Sequence, residues 1–292
     1  MSRALRSLLF VPADSPRKLA KALDAGADAL LIDLEDSVAA SAKAGARISA
    51  REFIAHARAQ GAAARLFVRV NALDTGLTDA DLDAVMAAAP DAVLLPKCAA
   101  GRDVQHLSAK LAVHEARGGL AEGATRIMAI ATETAASLFG LGSYQNADAR
   151  LCALTWGAED LSTDLGSLAT RDAAGLYTGP YRLARDLTLA AAVAAAVAPI
   201  DTVYAAFRDA SGFARECAEA GRDGFTGKMA IHPDQVGVIN SAFTPSAEAV
   251  ARARKITAAF AAQPDAGVLG VDGEMLDRPH LKRAERLLAR LG

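Results

Sequence analysis

Cysteine is scarce in this chain: Cys98, Cys152 and Cys217 are the whole complement of 292 residues, an odd number, widely spaced and without a CxxC pair. That usage argues against a disulfide framework or a thiolate zinc site and fits a reducing, cytoplasmic setting. Charge of one sign is also lacking, since 32 Lys and Arg nearly cancel 34 Asp and Glu to leave a formal net charge of -2. No global basic field is present to hold nucleic acid or an anionic membrane, so the expected partners are small molecules and other subunits. Long hydrophobic runs are missing as well. The apolar run before Pro12 is too short for a signal-peptide core, and the alanine-rich stretch Leu187 to Ala198 falls short of the roughly 20 residues that span a bilayer. There is no GxxxxGK[ST] loop, no GxGxxG after a strand and no HExxH among the histidines His56, His106, His114, His232 and His280. Gly140-Leu141-Gly142-Ser143 reads as the end of a helix, not as a phosphate cradle.

What the chain does have is alternation. Short apolar runs recur between longer amphipathic segments, the pattern of β-α units around a parallel sheet. They are Leu8 to Val11, Ala29 to Asp33, Leu66 to Val70, Ala92 to Leu95, Ile127 to Ile130, Leu151 to Thr155, Thr202 to Ala205 and Phe225 to Ile231. None alternates strictly with polar residues, as expected of parallel strands buried on both faces. Helices are predicted over Ser15 to Ala25, with Ser15 as N-cap, Pro16 at the first position and Gly26 as the stop, and over Asp79 to Ala89, Asp103 to Arg117 and Ser211 to Ala220. A (β/α)₈ barrel takes about 250 residues as one domain. The expected fold is therefore α/β, a TIM barrel over residues 1–240. Residues 241–292 form a C-terminal helical extension, with helices over Ser246 to Ala262 and Arg278 to Leu291, a loop over Pro264 to Gly270 and a polar, glycine-bearing segment from Val271 to Pro279. Such an extension serves as a lid on its own barrel or as an arm over a neighbouring subunit.

Two acids stand just beyond adjacent predicted strands: Glu133 after Ile127 to Ile130, and Asp160, in Trp156-Gly157-Ala158-Glu159-Asp160-Leu161, after Leu151 to Thr155. On a parallel barrel both lie at the C-terminal face, where together they can hold one hard divalent cation. The competing local reading makes each a helix-capping or first-turn acid, and Glu159 competes with Asp160 as the ligand. Arg69 ends the third run, where a guanidinium fork can bind a carboxylate or a developing oxygen charge; a salt bridge to Glu35 or Asp36 is the structural alternative, compatible with the first. Lys97, after Pro96, is open to two readings: a Schiff-base amine or electrostatic support for the acids. Cys98 beside it has no partnering base in the sequence, and His232 reads as a packing residue.

The segments RSLLFVPADSPRKLAKA, LLIDLEDSV, FVRVN, VLLPK, IATETA, WGAEDLSTDLG, GFTGKMAIHPDQV and DGEMLDRP, in that order over nearly the whole chain, resemble the citrate lyase β-subunit-like family of the HpcH/HpaI aldolase and citrate lyase superfamily, whose relatives include malyl-CoA and citramalyl-CoA lyases. The resemblance implies a Mg²⁺-dependent (Mn²⁺ also accepted) cleavage of a 3-hydroxyacyl-CoA, of malyl-, citramalyl- or citryl-CoA type, into a 2-oxo acid and acetyl-CoA, on barrels assembled as homotrimers or hexamers. It assigns the metal to Glu133 and Asp160, with Glu159, Glu35, Asp36 and Lys97 in support. It points to Arg17 and Lys18 at the nucleotide end of coenzyme A, and to Asp277 as the acid and base reaching a neighbouring subunit's site, with Asp272 competing. Compatible alternatives are the citryl-carrier-protein lyase subunit of a citrate lyase complex, a malyl-CoA thioesterase, and a non-catalytic scaffold subunit.

Overall fold

In a computed structural model of the chain, residues 5–291 are described. They fall into two compact units, residues 5–240 and residues 241–291.

The first unit is a closed barrel of parallel strands in chain order: β1 (Ser7–Pro12), β2 (Ala29–Asp33), β3 (Arg65–Arg69), β4 (Ala92–Leu95), β5 (Arg126–Ile130), β6 (Leu151–Thr155), β7 (Ala198–Asp201) and β8 (Gly227–Ala230), with β8 returning to pair with β1. The helices are α1 (Pro16–Ala22), α2 (Lys43–Ala59), α3 (Thr78–Val85), α4 (Gly101–Gly118), α5 (Ala135–Gly140), α6 (Glu159–Leu165), α7 (Gly179–Ala194), α8 (Ala210–Asp223) and α9 (Pro233–Phe243). Each strand is followed by a helix, β6 by both α6 and α7, so the strands carry their following loops to one face. Every residue of β2, β4 and β8 is buried, which explains the missing polar alternation. Inside, the bulky Leu8, Phe67 and Met128 interleave with Ala29, Ala92 and Ala153, a graded filling that leaves a packed core and no pore.

Two expectations for this unit need correction. The seventh strand is not Thr202 to Ala205 but Ala198–Asp201. The alanine-rich helix already ends at Ala194, the chain turns at Ala196 with φ 56°, and Pro199 enters the strand opposite Leu154. Proline is tolerated there because its carbonyl still accepts from Thr226 N–H at 2.9 Å. Ser15 sits at the N-terminus of α1 without a side-chain capping bond, so Pro16 carries that start. The predicted stop at Gly26 is present, with φ 71°.

The second unit contains α10 (Ala247–Ala262), β9 (Val268–Val271), β10 (Glu274–Asp277) and α11 (Arg278–Ala289). Ser246 caps α10 by accepting from Ala249 N–H. The stretch expected as a loop and a polar segment is an antiparallel hairpin, Glu274 opposite Val271 and Asp277 opposite Val268. Asp272 (φ 51°) and Gly273 (φ 83°) form its turn, the Asp-Gly signature of a two-residue hairpin. Ala253, Ile256, Phe260, Leu276 and Ala284 give this unit a small core of its own, trimmed by ion pairs Arg252–Glu274 and Lys255–Asp272.

Candidate active site

A cavity of about 660 Å³ opens at the C-terminal ends of the strands. Register explains its most polar corner. Asp33 and Arg69 are the last residues of β2 and β3 and lie side by side in the ladder, and Arg69 grips Asp33 with both prongs, Nε to Oδ1 and Nη2 to Oδ2, each 2.7 Å. Its remaining nitrogen, Nη1, lies 2.8 Å from Glu35 and 3.9 Å from Asp36, and Phe10 stacks beneath it. Burial disfavours both charges, yet the paired hydrogen bonds prevail: Asp33 is held below the usual carboxylate range and Arg69 above the usual guanidinium one. The expected salt bridges to Glu35 and Asp36 are present. The principal anchor, Asp33, went unpredicted, because as the last letter of the apolar run ALLID it reads as a strand terminus; its register with Arg69 was the available signal. Since Asp33 occupies the Nε–Nη2 fork, Nη1 is the nitrogen that faces the other acids.

Glu133 is buried in the connection between β5 and α5. It is not a helix cap: Thr134 holds that position and accepts from Ser137 N–H. Lys97, at φ 49°, turns its backbone N–H onto Glu133 Oε2 at 2.5 Å. Its ammonium meets Glu35 at 2.5 Å and Asp160 at 3.5 Å. Gly157 presses on the other side of Glu133, so closely that a Cβ there would stand 2.7 Å from Glu133 Cγ. Burial, and then the negative charges of Asp160 and Glu35, push the Glu133 carboxyl up to about 8 against the pull of Lys97. Asp160, half-exposed in the first turn of α6, makes no capping bond; Glu159 and Asp36 also line the cavity.

Lys97 does not fit the Schiff-base alternative. Burial would lower its pKa, but the bond from Glu35 and the charges of Glu35, Glu133 and Asp160 raise it above the ordinary lysine value, so the amine stays protonated and non-nucleophilic. Cys98 is inert, its thiol pushed up to about 12 by burial. His232 lines the cavity and stacks on Phe207. On α1 the structure brings Lys18 and Lys21 into the cavity wall; Arg17 is exposed and outside it. Lys43 is a further addition, its ammonium tying Leu34 O, Glu35 O and Asn71 Oδ1 within 2.7–3.1 Å and so bracing the loop that carries Glu35. In the other unit, Asp277 stands at the N-terminus of α11 with its carboxylate 2.5 Å from His280 Nδ1, which holds it below the usual range.

The donor set suits a hard divalent cation. Asp33, Glu35, Asp36, Glu133 and Asp160 outnumber Arg69 and Lys97, and Glu133 is a buried carboxylate whose neighbours repel its charge. Among the described residues no three His, Cys, Asp or Glu side chains form a metal cage. A cation bound here would draw on Glu133 and Asp160 and would take its other oxygens from water and ligand, the habit of Mg²⁺. No helix of the described residues is long and apolar enough to cross a membrane.

Comparison with known proteins agrees with the fold and the motif order. The chain is 33% identical over 288 residues to a citrate lyase subunit beta of Leuconostoc mesenteroides, spanning 98% of this chain and 93% of the relative. It is 35% identical over 288 residues to a (3S)-malyl-CoA thioesterase of Cereibacter sphaeroides, spanning 98% and 94%. Among solved structures it resembles CitE from Mycobacterium tuberculosis in complex with magnesium, acetoacetate and coenzyme A, with a TM-score of 0.78 and 33% identity over 99% of this chain and 98% of that one. The same organism's citrate lyase beta subunit with oxaloacetate and magnesium gives a TM-score of 0.71 at 32% identity, over 83% and 98%. The family model for HpcH/HpaI aldolase/citrate lyase matches residues 6–233, the barrel with its acidic mouth, and the chain belongs to that family.

Proposed function

We propose that this protein is a divalent-metal-dependent carbon–carbon lyase that cleaves a 3-hydroxyacyl-CoA of malyl, citramalyl or citryl type into a 2-oxo acid and acetyl-CoA. The observation that carries the reading is Glu133, a buried carboxylate pressed between Gly157 and the Lys97 N–H beside Asp160, at the mouth of a cavity large enough for an acyl group. Magnesium bound to relatives together with oxaloacetate, or with acetoacetate and coenzyme A, supports it.

Glu133 and Asp160 would hold Mg²⁺ or Mn²⁺, which supplies Lewis-acid polarisation of the chelating carboxylate and oxo oxygens of the 2-oxo acid. Arg69, fixed by Asp33, offers Nη1–H to the oxygen that becomes the new carbonyl. Lys97 holds Glu35 and Asp160 in place through its ammonium. The hydroxyl proton passes to solvent water, the C–C bond breaks and its electron pair passes to the acetyl thioester as an enolate, whose carbon then takes a proton, so that none is gained or lost overall. Asp277 is the group we assign to that carbon, delivered from a neighbouring subunit of a homotrimer or hexamer. Ionised beside His280, it is ready to act as base in the condensation direction, and by microscopic reversibility the same group returns the proton in cleavage. Lys18 and Lys21 suit the phosphates of coenzyme A.

A second reading, hydrolysis of the thioester, is favoured by the kinship to the malyl-CoA thioesterase. Incubation with malyl-, citramalyl- and citryl-CoA plus Mg²⁺, with all products identified by mass, separates the two. Glyoxylate, pyruvate or oxaloacetate with acetyl-CoA marks the lyase, free hydroxy acid with CoA marks the hydrolase, and no turnover on any of the three overturns both.

A further inference from the structure

Behind the cavity wall six side chains close a ring. Trp156 donates its indole N–H to Asp201 at 2.7 Å. Asp201 takes the Lys228 ammonium on its other oxygen at 2.6 Å, and Lys228 donates again to Glu216 at 2.8 Å. The second oxygen of Glu216 lies 2.8 Å from Arg171, whose guanidinium lies over the Tyr177 ring at 3.7 Å. Tyr177 closes the circuit by meeting Trp156 edge-on, with centroids 4.9 Å apart. The members come from the exit of β6, from β7, β8 and α8, and from the connection between α6 and α7.

The side chains of Lys228 and Asp201 are 0% and 1% exposed, and no step of the proposed cleavage uses them. Burying a charge pair costs more than apolar filling of the same volume, so packing alone gives no reason for it. What such a pair provides is direction: hydrogen bonds and ion pairs fix the orientation of the group they hold, whereas apolar contacts let it settle. The held group is Trp156, and the next residue is Gly157, whose Cα packs directly against the Glu133 side chain.

We propose that the ring is a positioning device which sets the Trp156–Gly157 backbone against Glu133, so that Arg171, Lys228 and Asp201 tune cation affinity at a site they do not touch. The inference rests on Glu133 being a metal ligand. Arg171 is the member to perturb, because it is part-exposed and its loss leaves Glu216 paired with Lys228. Trp156 is the only tryptophan, so its fluorescence anisotropy reports on the ring directly, and Mn²⁺ affinity is read separately by the spin resonance of free Mn²⁺.

Arg171→Met is expected to lower the Trp156 anisotropy and raise the Mn²⁺ Kd on the order of tenfold, the scale of change when a partner behind a ligand is removed. Arg171→Lys, which keeps the charge, should recover part of the loss. Trp156→Phe, which removes the N–H bond to Asp201 and shortens the ring against Tyr177, should weaken Mn²⁺ similarly and guards against a folding failure in the arginine variant. Both Kd values within twofold of the parent, while Glu133→Gln abolishes binding, would overturn the ring and leave the metal site standing. Unchanged binding in Glu133→Gln would instead overturn the metal reading, and this inference with it.

Discussion

Gly157→Ala tests the geometry of the site with one methyl group. Gly157 is not at positive φ, so alanine meets no backbone penalty and the effect is steric. The new Cβ would lie 2.7 Å from Glu133 Cγ, 3.2 Å from Oε1 and 3.4 Å from Cδ, whereas carbon atoms settle at about 3.5–4.0 Å. Glu133 therefore has to retreat by about 1 Å, yet its Oε2 is held by the Lys97 N–H and the side chain is buried. Overpacking of this kind costs about 1–3 kcal/mol, and metal ligands tolerate only about 0.2 Å of displacement. If most of the strain falls on the cation-bound geometry, the Mn²⁺ Kd rises roughly 10- to 100-fold, at about 1.4 kcal/mol per factor of ten. Isothermal titration of metal-free protein with Mn²⁺ measures this, with circular dichroism to confirm the fold. A folded Gly157→Ala protein binding Mn²⁺ as tightly as the parent would refute the placement of Glu133 as a ligand beside Gly157.

Glu133→Gln and Asp160→Asn should each remove most turnover by leaving the ion one hard anionic ligand; full activity in EDTA would contradict this. Arg69→Lys keeps the charge but loses one or both bonds to Asp33, and kcat/KM should fall by at least tenfold, a drop that equal kinetics in variant and parent would rule out. Asp277→Asn should fold and bind Mn²⁺ yet fail in catalysis, and mixing it with Glu133→Gln subunits should restore part of the activity; verified mixed oligomers with none would place the acid elsewhere. In metal-free protein the Glu133 carboxyl is raised from about 4.5 to about 8 by folding, so the folded state binds this proton more tightly than the unfolded chain. Its stabilising contribution is present below pH 4.5 and is lost as pH climbs through 8. The melting temperature should therefore decline over that interval, and saturating Mg²⁺ should flatten the decline; no difference between the metal-free and Mg²⁺-loaded profiles would count against a Glu133 ligand.

Much of the barrel was legible because strands buried on both faces leave unbroken apolar runs, as in Ala29–Asp33 and Ala92–Leu95, where the expected and observed limits coincide. The seventh strand was not, since Pro199 looks like a helix stop and only the pairing with Leu154 makes it a strand residue. The hairpin of the second unit was within reach: Asp272-Gly273 between Val268–Val271 and Glu274–Asp277 is a turn signal that the surrounding polar letters masked. At the site, Glu133, Asp160, Arg69, Glu35 and Lys97 were found from their strand-end positions, and the structure gathers them. Asp33 and Lys43 were missed because their roles arise from register and from a contact across 28 residues, to Asn71, which no local pattern encodes.

Lys97 serves two acids with two different parts of itself: the main chain meets Glu133 and the side chain meets Glu35 and Asp160. Those duties are separable by mutation. The bond to Glu133 asks only for a residue that accepts the left-handed backbone at φ 49°, which asparagine does more readily than lysine. A change there would discard the ammonium while keeping the carboxylate seated, altering the field over the cavity without dismantling the ligand. At this position the main chain and the side chain can therefore be varied independently of each other.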